Sequence, residues 1–103
     1  MNDELETFIR TYLHADTAYD TSNFLRPTLL AFNESFVRRV KEGFDIVLRE
    51  GSLTKGEYER LTEVEFTEDE TLHYYLQSMY DHLFENQPVQ PSLSQESRGQ
   101  QSR

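Results

Sequence analysis

The side chains of this sequence that could do chemistry are three histidines and nineteen carboxylates, and their spacing limits what they can do. Cysteine is absent, which removes disulfides, thiolate metal clusters and a cysteine nucleophile. Glu70 and His73 have the Glu-x-x-His spacing of a helical ligand pair. A di-metal bundle needs two such copies plus Glu residues from other helices, and this is a single copy. His73 therefore reads as a surface side chain following an acidic helix start. His73 and His82 are nine residues apart, half a turn out of phase on one helix, so they share no face. His14 and Asp16 could form a local pair, but no third ligand stands near them, which favours a structural role at a helix end. Four scattered glycines make no phosphate loop, and no serine sits in a nucleophile elbow. The expectation is a protein that is not an enzyme and uses neither metal nor cofactor.

The carboxylates carry more information because they are unevenly spread. Residues 26–49 hold five basic and three acidic groups, a local +2. Residues 54–85 set Lys55 and Arg60 against nine acids, a local −7. Glu57 and Glu70 complete Thr-x-x-Glu capping boxes, and Glu68 and Asp69 suit a helix start. Glu59, Glu63 and Glu65 are not needed as caps. On one helix Glu59 and Glu63 would stand i, i+4 as like charges, which costs about 0.2–0.5 kcal/mol. Glu59, Glu63 and Glu65, with Glu68 and Asp69, thus form a candidate anionic surface for a basic partner. The competing view is a merely solvated face.

The elements that must position these groups are helical. Leu5, Phe8, Ile9, Tyr12 and Leu13 follow helical spacing behind a cap at Asn2 or Asp3. That helix fades near His14, and a turn-prone stretch from Asp16 to Asn23 leads to Pro27, which disfavours a helical Arg26 and suits the first turn of a new helix. Leu29 to Leu48 keep helical spacing up to Gly51, with Asn33 as a possible break, so one bent helix and two shorter ones are both viable. Gly43 inside this run costs about 1 kcal/mol relative to Ala, which signals close packing or a weak spot. Thr54 opens a short helix carrying Tyr58 and Leu61, and Thr67 opens a longer one carrying Leu72, Tyr75, Leu76, Met79, Tyr80 and Leu83. Residues 87–103, rich in Gln, Ser, Pro and Arg, read as a disordered and dispensable tail behind a domain spanning 1–86. The fold class is a small all-α single-domain bundle of four or five helices.

The chain has 103 residues and a formal charge of −9. That balance argues against nucleic acid and anionic membranes as partners, since both need clustered Lys and Arg. No apolar run approaches the about 18 residues of a spanning helix, and the acidic start is unlike a signal peptide, so a cytoplasmic protein is expected.

Leu5-x-x-Phe8 followed by Tyr12-Leu13-His14-Ala15-Asp16 resembles the opening of a family of small all-α immunity proteins from bacterial contact-dependent growth inhibition systems. In that family an apolar helix ends in an aromatic pair and then His-x-Asp. Tyr12, His14 and Asp16 match as structural motif positions, Leu13 replaces the second aromatic, and the tryptophan common in the family is missing. The resemblance implies a cytosolic protein that binds and neutralises the C-terminal toxin domain of a large exoprotein, commonly a nuclease. A nuclease cleft is cationic, so an acidic inhibitor suits it electrostatically. Such a protein is expected as a monomer, with a homodimer as the alternative. Two other classes fit the same sequence: an acidic nucleic-acid mimic that blocks a host protein, and a helical adaptor that binds through an apolar groove.

Overall fold

A computed structural model describes residues 1–18, 23–91 and 93. It is all-α, with six helices and no strand among the described residues: α1 (Asp3–Tyr12), α2 (Ala15–Ala18), α3 (Leu25–Leu30), α4 (Glu34–Glu50), α5 (Lys55–Thr62) and α6 (Asp69–Phe84). The count exceeds four or five because Ala15–Ala18 forms one turn inside the expected loop, and because Asn33 divides the central run. Asn33 ends that ambiguity by capping: its Oδ1 accepts from the Phe36 amide at 2.9 Å.

Local chemistry explains most helix ends. Asn2, not Asp3, caps α1, its Oδ1 accepting from the Leu5 amide at 2.8 Å. Gly51 ends α4 at φ 61°, a left-handed turn open to glycine at no steric cost. Thr54 caps α5 through a bond from the Glu57 amide at 3.2 Å. Two expectations fail. Arg26 is helical, because Pro27 falls inside the first turn of a helix that begins two residues earlier. The Thr67 box does not form, because α6 starts at Asp69 with Glu68 as a cap residue that makes no side-chain bond. The Asp69 carboxylate instead accepts from the Lys55 amide at 2.8 Å, supporting the start of α5 from the start of α6.

The core is one cluster in which α1 packs on α4 and α5, α6 packs on α4, and α3 covers α6 and α4. Phe8, Ile9, Leu13, Val40, Phe44, Tyr58, Leu72 and Met79 are fully or almost fully buried within it. Gly43 brings α1 and α4 together: a Cβ there would stand 2.8 Å from Leu5 Cβ. At the α4–α6 seam, the rings of Tyr80 and Phe84 pack edge-on against Phe44, and the Lys41 ammonium lies over both.

The stretch after α6 corrects the tail expectation for the residues described. Gln90 and Leu93 are buried. The Gln90 side chain accepts from the Leu25 amide at 2.9 Å, serving as the cap that Phe24 cannot supply, while the Gln90 amide donates to Asn23 Oδ1 at 2.8 Å. The Arg26 guanidinium donates twice to the His82 carbonyl, at 2.9 and 2.6 Å, and once to the Gln87 carbonyl at 2.8 Å. A cation on the last carbonyls of α6 is also favoured by the helix dipole. Residues 87–91 and Leu93 are therefore a strap fastened across α3 and α6. The expectation of disorder for residues 94–103 lies outside the described residues.

Candidate functional site

The end of α1 gathers the first group of candidate residues. Tyr12 is half-buried, its ring centroid 5.5 Å from Phe8 and 6.3 Å from Phe32. Its carbonyl accepts from Thr17 Oγ1 at 2.7 Å, so the one-turn helix α2 folds back onto the end of α1. His14 sits between two carboxylates. The Asp16 amide donates to Nδ1 at 3.2 Å, which leaves the ring proton on Nε2, and Nε2 faces Glu63 Oε2 at 3.7 Å. The Asp16 carboxylate itself is almost wholly in solvent, 3.8 Å from Nδ1. Asp16 thus fixes His14 through its backbone, and its charge stays free.

Glu63 reaches this place by an unusual route. It ends α5 in the left-handed region at φ 64°, its amide donating to the Glu59 carbonyl at 2.7 Å. A glycine would be the ordinary choice there. The consequence is that the Glu63 carboxylate joins His14 and Asp16, two residues from the other end of the sequence.

The remaining acids divide by task. Glu59, Glu65 and Glu68 are exposed, and among the described residues no cation pairs with any of them. Asp69 is exposed but already engaged at the Lys55 amide. Glu57 pairs with Arg60 at 3.5 Å. The structure therefore brings Glu63 to the His14 motif, leaves Glu59, Glu65 and Glu68 as unpaired charges, and gives Asp69 a structural bond. Among the described residues no three His, Asp or Glu side chains converge as a metal site.

Sequence patterning missed an apolar groove beside this motif. Tyr12, Pro27, Thr28, Ala31 and Phe32 line an open depression of about 470 Å³. Phe32 is 40% and Leu30 56% exposed, and the Phe32 ring packs on Phe36 at 4.6 Å between centroids. Leu30 is uncovered because neighbours on a helix point about 100° apart, so a six-residue helix burying Leu29 turns Leu30 outward.

Two buried groups lie away from both surfaces. His82 Nδ1 donates to the Gln87 carbonyl at 2.8 Å, leaving Nε2 buried without a hydrogen-bond partner. The Tyr58 hydroxyl is fully buried facing Tyr75, and burial, aided by Tyr75, pushes its pKa well above 10.

No protein-family model matches the chain, and no curated protein or solved structure is significantly similar to it. Among the described residues no helix is long and apolar enough to cross a membrane.

Proposed function

We propose that this chain is a non-enzymatic immunity protein that acts in the cytosol, binding and neutralising a basic toxin domain of the nuclease type through its acidic surface. The observation that supports this most is the set Glu59, Glu65 and Glu68: exposed, unpaired and without a capping bond. Unpaired like charges close together in the sequence of a small domain oppose folding weakly, and their field accelerates encounter with a cationic cleft. The Tyr12-Leu13-His14-Ala15-Asp16 resemblance points to the same class of partner. The test begins with purification alongside the product of the neighbouring upstream gene. Stopped-flow association is then measured across a salt series for the wild type and for Glu59→Lys with Glu65→Lys. The reversal should slow association about tenfold at low salt and flatten the salt dependence, because exposed charges act over a screening length of about 8–10 Å. Glu4→Lys with Glu6→Lys, which removes the surface pairs to Arg39 and Arg10 and two acids from the first turn of α1, is the control and should change the rate little. Wild-type rates and salt slopes in both double variants would leave the acids as a solubilising face and remove this function.

A further inference from the structure

The outward stripe of α6 is acidic and aromatic, and the strap turns part of it into a groove. Glu70, Tyr74, Gln77, Ser78 and Asp81 stand at i, i+4, i+7, i+8 and i+11, so they share one face of the helix. The last four of them, with Val89 and Pro91 of the strap, line an open depression of about 470 Å³. Tyr74 is 70% and Val89 66% exposed, so neither is spent on the core.

Charge decides what fits there. Asp81 lies in the lining itself, its Oδ1 accepting from Gln77 Nε2 at 3.2 Å. Among the described residues no cation pairs with Asp81 or with Glu70. Helix α6 contains no Lys or Arg. One opposing charge is fixed by contact: Arg26 donates to the carbonyl of Gln87, a further lining residue, but its donors are spent on that carbonyl and the one of His82. Two acids against one engaged cation leave the stripe net negative. It also continues the acidic surface described above, since Glu68 directly precedes α6.

We propose that this groove seats a basic segment of the partner protein, with one arginine guanidinium on the Asp81 carboxylate and a second on the Tyr74 ring beside Glu70. This deepens the function above and rests on its premise that the partner is basic. A planar guanidinium suits both places, because it pairs with a carboxylate through parallel N–H donors and stacks on an aromatic face. Seven residues of helix separate Tyr74 from Asp81, a rise of about 10.5 Å. Arginines at i and i+3 of a polyproline-type segment stand about 9 Å apart on one side, which matches that span. Glu59, Glu65 and Glu68 then draw the partner in, and the groove holds one of its basic segments.

The experiment needs no identified partner. The full chain, labelled with ¹⁵N, is titrated at low salt with acetyl-Arg-Pro-Pro-Arg-amide and with its analogue carrying neutral citrulline at both arginines. The arginine peptide should shift the amides of Tyr74, Gln77, Ser78, Asp81 and Val89 saturably, and the citrulline analogue should not. Asp81→Asn and Tyr74→Ala should each weaken the arginine peptide about two- to fivefold, the range of an exposed ionic or cation–π contact. Glu59→Lys with Glu65→Lys should leave those five amides responding. Absence of saturable shifts overturns the proposal, as does equal binding of the citrulline analogue. Undiminished binding by both single variants also overturns it, leaving a diffuse attraction to the acidic surface. Concentration-dependent shifts of the same amides without peptide overturn it in favour of a second copy of this chain as the occupant. None of these outcomes touches the association rates of the Glu59 and Glu65 variants, so failure of the groove and failure of the toxin-binding function are read separately.

Discussion

Replacing Gly43 by Ala sets helix propensity against packing, and the structure decides which wins. In the middle of α4 the substitution should favour the helix by about 0.8–1 kcal/mol. The new Cβ would lie 2.8 Å from Leu5 Cβ, 3.0 Å from Asn2 Oδ1 and 3.1 Å from Asn2 Nδ2. Leu5 Cβ is tied to the α1 backbone, so relief requires α1 to move. Asn2 is also held at both ends, since Oδ1 accepts from the Leu5 amide and Nδ2 donates to the Arg39 carbonyl at 2.7 Å. Overpacking of this kind costs about 1–3 kcal/mol, and loss of an Asn cap about 1 kcal/mol more. The balance is a net loss of about 1–3 kcal/mol, and each kcal/mol lowers the melting temperature of a domain this size by roughly 4–8 °C. Gly56→Ala is the internal control: it lies on α5 with nothing within 4 Å of a Cβ, so there the propensity gain should stand alone. Thermal melts followed by circular dichroism should therefore move in opposite directions for the two variants. A Gly43→Ala protein that melts at or above the wild type would refute the close approach of α1 and α4.

The strap should be needed for stability, against the expectation from composition. Gln90→Ala leaves the buried Leu25 amide without its acceptor and should cost about 1–3 kcal/mol, and Leu93→Ala about 2–5 kcal/mol, both read as shifts of the urea midpoint. Truncation after Gln87 removes both contributions, and an unchanged midpoint in that variant would show that the strap does not hold. Tyr58 makes a pH prediction. Its folded pKa is raised by burial, so above about pH 10 the unfolded chain releases a proton that the folded chain keeps, and stability falls as pH rises through that window. One proton corresponds to about 1.4 kcal/mol per pH unit. Tyr58→Phe should lessen the alkaline loss by up to that amount, about 1 kcal/mol between pH 10 and 11, and identical slopes by urea titration over that range would remove the assignment.

Local rules were enough for much of this protein. Apolar residues at helical spacing define α1, α4 and α6, since a helix buries whichever stripe its own sequence carries. Asn2, Asn33, Gly51 and Thr54 mark helix ends because a cap is a bond between residues three or four apart. The charge asymmetry was legible too, since it depends only on counting. The long-range partners were not. Gln90 caps a helix 65 residues away in sequence, and Asp69 supports the start of α5 while the box expected between Thr67 and Glu70 does not form. Both are polar residues in polar stretches, and pattern cannot distinguish such a side chain in water from one bonded to a distant backbone. Gly43 illustrates the same divide: sequence states its propensity penalty, while only the approach of Leu5 says why a glycine stands there. The site follows suit. Tyr12, His14 and Asp16 are neighbours along the chain, but Glu63 joins them through a left-handed residue at the end of α5, and Phe32 through the packing of α3. Sequence by itself determined the longer helices and the distribution of charge. Tertiary structure decided which charges are left free and which aromatics stay uncovered, because both depend on what the rest of the chain brings alongside.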